Sequence, residues 1–301
     1  MVGLTEAKTQ SAYNAPIRPL LLIMLRKLID TPKSYNALVR AKHGYMLYNK
    51  NDIYIGRSIG KYGEFSEGEV DLFRQLLLPG DVVIEVGANI GAHTLALATL
   101  VGTSGRVHAF EPQRIIYQTL VANVALNGIE HVECHRAAAG DASGELGMPD
   151  FVYSVEGNFG GIELSRYPGP NKVPVVRLDS HLEIPTGRTL RLIKVDVEGM
   201  EHAVLAGADA LIRAHQPFLY VENDRIEKSA ALITQIERLG YRLYWHTPPM
   251  YNMHNYAGDA ENLFPNVVSI NMLCIPKGNT MQVNGFLPVE NADSHPFKTA
   301  K

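Results

Sequence analysis

Two cysteines in 301 residues, Cys134 and Cys274, exclude a disulfide framework and a cysteine-ligated zinc module. Neither lies beside an evident base, so both are expected to be small core residues in a reducing compartment. Charge of one sign is lacking too. With 28 Lys and Arg against 31 Asp and Glu the net charge is −3, so no basic footprint marks a nucleic-acid partner, and none is expected. No long hydrophobic run is present. The apolar stretch Leu20 to Leu25, within "PIRPLLLIMLRKLID", falls far short of the roughly 20 residues that span a bilayer. No transmembrane segment and no signal peptide are expected, and the location is read as cytoplasmic. Arg18, Arg26 and Lys27 flank the stretch. It suits an amphipathic helix covered by the body, by a second copy in a homo-oligomer, or by a membrane surface. Internal repeats and low-complexity linkers are also missing.

What is there is ordinary globular composition, 46% hydrophobic and 20% charged, with a strong alternation of strand and helix patterns. Residues 1–44 are expected to be a helical arm. Residues 45–80 read as a cap segment of short strands and turns, followed by a helix opening at Ser66 with Glu69 as its capping-box partner. From 81 to 278 the chain alternates. "VVIEVG" is a strand and "AHTLALATLVG" a helix; "RVHAFEP" is a strand and "RIIYQTLVANVALNG" a helix. "HVECHRAAAG" is a third strand. "LRLIKVDVEG" leads into the helix "MEHAVLAGADALIRAH", and "PFLYVEN" into "KSAALITQIERLG". "YRLYWH" and "VVSINMLCIP" close the series. Such alternation predicts a mostly parallel sheet of seven strands with helices on both faces. The last strand is expected to run antiparallel, because no crossover helix precedes it. An insertion at about 141–189 has no sustained helix, and 279–301 reads as a tail.

The loop after the first of these strands, in "VIEVGANIGAHT", decides the ligand class. A dinucleotide fingerprint needs Gly-x-Gly-x-x-Gly, whose middle glycine lets backbone approach a pyrophosphate. Here only the first glycine is in register. The observed pattern is Glu85-x-Gly87-x-Asn89-x-Gly91. A carboxylate at the strand end repels a pyrophosphate and suits a positively charged group, such as the amino end of S-adenosylmethionine. Glu111, in "HAFEP" at the end of the second strand, is placed to accept ribose hydroxyls. The candidate cofactor residues are Glu85, Gly87, Ala88, Asn89, Gly91, Thr94, Glu111 and Pro112, with Asp196 at the end of a later strand expected beside the sulfonium. Asp141, soon after the third strand, is a candidate for the adenine or a turn former.

"PGDVVIEVGANIGAHT", "HAFEP", "LIKVDVEGMEHAVLAG" and "VPVVRLDSHL" together resemble the FkbM-type methyltransferases, over about Tyr54 to Pro276. The resemblance implies a class I methyltransferase (Rossmann-like) fold, S-adenosylmethionine as cofactor, and methylation of hydroxyls on sugars or polyketide-type natural products. It also implies that the segment holding Tyr62 and Glu64 folds over the methionine end of the cofactor.

Methyl transfer to an alcohol needs in-line positioning and help in removing a proton. Asp196 emerges at the end of "LRLIKV" and is the first candidate base. Glu198 follows in the turn, with Glu201 and His202 opening the next helix. Glu222 and Asn223 end the fifth strand, and His246 ends the sixth. Asn158, Phe159 and Gly160 in the insertion, Asn223, and Trp245 with Tyr251 and Tyr256 are candidates to touch the acceptor. Asp196, Glu222 and Asn223 also resemble the acid and acid–Asn pair that catechol-type O-methyltransferases place around magnesium. The alternative is metal-free catalysis by Asp196, Glu198 or His246. No other histidines show metal-ligand spacing. The expected activity is O-methylation of a small-molecule or carbohydrate acceptor. N-methylation of an amine and a catalytically inactive cofactor-binding scaffold remain the competing readings.

Overall fold

The computed structural model describes residues 27–30, 33–161 and 169–297. The chain begins, within these, with an antiparallel sheet of β1 (Lys27–Asp30), β2 (Asn36–Ala41) and β3 (Gly44–Asn49). The helical arm expected over 1–44 is thus corrected where it is described. Ala37, Val39 and Ala41 are buried at every second position of β2, the period of a strand. The Leu20–Leu25 stretch, and any assembly through it, lies outside the described residues. Two asparagines of a later helix fasten this sheet. Asn123 accepts from Leu47 N (2.6 Å) and donates to Leu47 O (3.0 Å), and Asn127 holds Tyr45 in the same way.

Helices α1 (Ile55–Tyr62) and α2 (Glu67–Leu76) lead into β4 (Val82–Val86), α3 (Ala92–Val101), β5 (Arg106–Phe110), α4 (Arg114–Leu126) and β6 (Val132–His135). The capping box is not reciprocal. Ser66 sits at φ 44°, and its hydroxyl donates to Glu69 Oε1 (2.7 Å) instead of capping the backbone. The third expected strand divides at Arg136. Beyond it β7 (Ala138–Ala139) leaves for a separate small sheet with β8 (Gly144–Met148) and β9 (Asn171–Val176), which builds much of the insertion. There follow α5 (Leu178–His181), β10 (Leu190–Val195), α6 (Glu201–Gly207), α7 (Asp209–His215), β11 (Phe218–Glu222), α8 (Ile226–Arg238), β12 (Tyr241–His246), β13 (Asn271–Pro276) and β14 (Leu287–Pro288). The single helix expected after β10 is broken at Ala208.

The large sheet has the order β14-β12-β13-β11-β10-β4-β5-β6. β11, β10, β4, β5 and β6 run parallel, and β13 is antiparallel to both β11 and β12. This is the class I methyltransferase arrangement, with the seventh strand slotted between the fifth and sixth and a two-residue eighth strand added at the edge. Alternate residues feed two cores. Val82, Ile84 and Val86 pack with Val204, Leu205, Ile212, Ile233 and Ile236 from α6–α8, while Val83 packs with Phe73, Leu76, Leu97 and Val101 from α2 and α3. The chain runs outward from β4 through β5 to β6, then returns to β10 on β4's other side. The crevice beyond the ends of β4 and β10 is therefore the topological switch point, where open α/β sheets bind ligands. Among the described residues no helix is long and apolar enough to cross a membrane.

Candidate active site

A cavity of about 340 Å³ opens at this switch point. Its wall includes Gly87, Asn89, Glu111 and Pro112 from the β4 and β5 ends, Asn158 and Gly160 from the insertion, and Asp196, Glu198 and Glu222 from the β10 and β11 ends. Each of these nine residues was singled out by sequence.

The loop after β4 is drawn tight by its neighbours. Gly87 N and Ala88 N both donate to Phe110 O (3.0 and 2.9 Å), and Asp196 N donates to Val86 O (3.0 Å). Gly87 has φ +84°, and a Cβ built there would lie 1.8 Å from Asp196 O. Only glycine lets β4 and β10 diverge at this separation. Glu111 braces the same loop. Its Oε2 accepts from Asn89 N (3.1 Å) and its Oε1 from Gln113 N (2.8 Å). Burial pushes the Glu111 carboxyl up to about 7 against the pull of those two amides. Each oxygen retains a second lone pair for a ligand.

Glu85 does not line the cavity. It is fully buried, with Oε2 accepting from Thr94 Oγ1 (2.6 Å) and Oε1 without a partner. Burial raises its pKa to about 7, opposed by Lys194. Ala88, Gly91 and Thr94 likewise stand behind the loop, Gly91 as the N-cap of α3. Lys194 is a feature that sequence reading missed. It lies opposite Glu85 across the β4–β10 register, is 2% exposed, and its Nζ is 3.0 Å from Asp196 Oδ2. Burial works against its charge, yet Asp196, Glu85 and Glu69 raise its pKa above the ordinary lysine value. Its signal was a lysine inside an apolar strand, a position that demands a buried acid partner.

In the turn after β10, Glu198 has φ +55°, a left-handed conformation costing a non-glycine residue about 1–3 kcal/mol. Its carboxyl is pushed up to about 8, first by burial and then by Asp196, although Arg225 bonded to its Oε2 opposes this. Glu222 is raised well above the usual carboxylate range by burial, Asp196 and Glu198, and its Oε2 has no partner. Asp224, also in the wall, pairs with Arg225.

Several expected residues stand elsewhere. Tyr62 is buried against Tyr251 and Phe264. Its hydroxyl donates to Glu261 O (2.8 Å) and accepts from Leu263 N (2.7 Å). Glu64 accepts from Asn252 Nδ2 (2.7 Å) and Tyr256 N (2.8 Å). These two therefore anchor the 247–270 loop and do not face the cavity, which is instead lined from this segment by Tyr54, Ile55 and Phe65. Asp141 is exposed, and its backbone oxygen accepts from Arg177 (2.7 Å); Ala138 and Ala139 take its expected place in the wall. Phe159 is buried beside Tyr153, offering only its carbonyl to Gln113. Trp245 is buried with its edge toward His295. His246 shares a 2.8 Å hydrogen bond between its Nδ1 and the Tyr220 hydroxyl, stacks on Phe286 and does not line the cavity, so it is no base there. Asn223 donates to Ser229 Oγ (3.0 Å) and Met272 Sδ (3.3 Å), so the expected Asp196–Glu222–Asn223 metal set does not assemble. Its place is taken by Glu198, Glu222 and Asp224, with Arg225 already on two of them. Gln113 and Ser269, Ile270 and Asn271 complete the wall from segments that carry no local sequence signal.

A curated relative, Methyltransferase 1 of Beauveria bassiana (strain ARSEF 2860), is 28% identical over 145 residues, 42% of this chain and 58% of the relative. The chain thus spans little more than half of that relative's length. Among solved structures, the FkbM methyltransferase of Methylobacillus flagellatus KT aligns with TM-score 0.41 and 17% identity, covering 68% of this chain and 50% of that one. An S-adenosylmethionine-dependent O-methyltransferase of Thermotoga maritima aligns with TM-score 0.45 and 11% identity, covering 81% of this chain and 79% of that one. The model of the methyltransferase FkbM domain matches residues 85–243, more than half of the sequence, from the end of β4 through β11, and the chain belongs to the FkbM methyltransferase family.

Proposed function

We propose that this protein is an S-adenosylmethionine-dependent methyltransferase that methylates a hydroxyl of a sugar, glycoside or natural-product acceptor. One observation carries the reading: a single cavity joins the Gly87–Asn89–Glu111 wall to the Asp196–Glu198–Glu222 wall. The first wall fits the cofactor. Gly87 gives it a floor without a side chain, and Glu111 offers a buried carboxylate to ribose hydroxyls. When bound, the cofactor supplies an electrophilic methyl group on a sulfonium. The chain's own residues do the rest. Asn158 and Gly160 bound the acceptor side, and Glu198 takes the hydroxyl proton. Asp196, held by Lys194, keeps negative charge beside Glu198 and raises its basicity. Glu222 and Asp224 complete an acidic wall that would also attract a protonated amine. N-methylation is therefore the second reading, separated from the first by identifying the methylated atom in the product.

Calorimetry should show S-adenosylhomocysteine binding, with no comparable binding of NAD. Glu111→Ala should weaken it by about 1.5–3 kcal/mol, the scale of hydrogen bonds to a charged group. Unchanged affinity in a folded Glu111→Ala protein would remove Glu111 from the ribose. Turnover is also expected to be the same with and without magnesium. Asn223 is turned onto Ser229, and Arg225 already compensates Glu198 and Asp224. A rate that falls in magnesium-free buffer and returns on adding the ion would make the acidic wall a metal site.

A further inference from the structure

Strand geometry gathers a second polar cluster well away from this acidic wall. In the β5–β6 register His108 lies opposite Glu133, and Phe110 opposite His135. Side chains alternate along a strand, so His108, Glu133 and His135 share one face at the edge of the large sheet. Nothing in the sequence spacing announces this, because the two positions are 25 residues apart (133 − 108) and the chain between them crosses over through α4.

The contacts are convergent. His108 Nδ1 is 3.3 Å from Glu133 Oε2 and 3.3 Å from His135 Nε2, and one ligand atom from each of the three residues lies within 4.8 Å of the others. Both distances are long for a hydrogen bond involving nitrogen, whose usual length is about 2.9–3.0 Å. One Nδ1–H also cannot satisfy two such partners well. The same distances match the edge of a coordination tetrahedron. With metal–nitrogen and metal–oxygen bonds of about 2.0–2.2 Å, ligand atoms sit roughly 3.3–3.6 Å apart.

Two further atoms of the cluster are held from outside. His135 Nδ1 faces His181 Nε2 at 3.3 Å, and its ring stacks on Phe110 (4.3 Å between centroids, 12° between planes). Arg106 bonds Glu133 Oε1, which leaves Oε2 directed at His108. Such outer partners fix ring orientation and free the converging atoms for a ligand.

We propose that His108 Nδ1, Glu133 Oε2 and His135 Nε2 form a binding site for a divalent transition-metal ion of the zinc class. Two imidazoles and one carboxylate suit zinc and its neighbours and do not suit magnesium or calcium. The Glu133 side chain is 46% exposed, so the fourth coordination position faces solvent. None of the three residues lines the cavity at the switch point, so the ion would fasten the edge strand β6 to β5 and stand apart from the acceptor.

The test uses the metal-stripped full-length chain, titrated with zinc, cobalt(II) and magnesium. One zinc per chain is expected, with a raised unfolding temperature. Cobalt(II) should develop the visible ligand-field absorption of a four-coordinate ion, and magnesium should not compete. His135→Gln and Glu133→Gln should each weaken zinc at least about tenfold, since even loss of an outer partner costs that much. Glu133 is partly exposed, so its variant stays folded if His135→Gln does not. Glu222→Gln should leave zinc affinity unchanged. No stoichiometric zinc binding, equal binding by the Glu133→Gln protein, or binding lost only in Glu222→Gln would overturn the assignment. These readouts need neither cofactor nor acceptor, so their failure is distinct from failure of the methyltransferase reading.

Discussion

Replacing Glu198 by glutamine is expected to lower kcat by about 10²–10⁴-fold on a competent acceptor, the range for losing a general base. Binding of S-adenosylhomocysteine should stay close to wild type, because glutamine keeps the side chain's size and the hydrogen bonds that hold Glu111 and Asn89 do not involve Glu198. The pH dependence gives the sharper signature. A base acts when deprotonated, and burial and Asp196 set the Glu198 carboxyl at about 8. Turnover of the wild type should therefore rise with pH and level off above about 8. Asp196→Asn removes a negative charge whose repulsion helps hold that carboxyl high, so its rising limb should move to lower pH. Asp196→Ala should cut turnover as well, because the Lys194 ammonium then loses its nearest partner, Asp196 Oδ2 at 3.0 Å. A Glu198→Gln enzyme that keeps a near-wild-type rate and the same pH limb would take the proton transfer away from this residue.

The Gly87–Glu111 side of the cavity was legible because local chain order builds it. Gly87 and Asn89 follow one strand, and Glu111 ends the next, so parallel pairing alone brings them together. The acidic side of the cavity depended on details that spacing does not carry. Glu222 and Asn223 are adjacent, and strand alternation sends one into the cavity and the other back onto Ser229 and Met272. His246 and Trp245 were placed by their position at a strand end. However, β13 lies between β11 and β12, so that end stands one strand further from the switch point. Lys194 was overlooked because a lysine in a strand reads as solvated until its carboxylate partners are seen. At the N-terminus, "NALVRA" has the alternation of a strand, but the apolar run ahead of it drew the reading toward a helix.

The loop between β4 and α3 makes the strongest structural demand, and Gly87→Ala tests it. Two separate effects act at this position. At φ +84° a side chain strains the backbone, costing about 1–2 kcal/mol. The new Cβ would also fall 1.8 Å from the Asp196 carbonyl oxygen, which is backbone and cannot swing aside. To relieve that clash, the ends of β4 and β10 must part. The bond from Asp196 N to Val86 O, which spans these two strands, stands in the way and would be lost. Together these place the variant among the large destabilisations, above about 4 kcal/mol, or on the order of 10 °C in unfolding temperature for a chain of this size. The same movement carries Asn89 and Asp196 out of the cavity wall, so S-adenosylhomocysteine binding should disappear from calorimetric detection. Gly128→Ala supplies the control. Gly128 has φ +63° with nothing within 4 Å of its Cβ position, so it bears the backbone cost alone and should bind the cofactor product normally. If Gly87→Ala matched Gly128→Ala in both unfolding temperature and binding, the close crossing of β4 and β10 would not be what shapes the cofactor site.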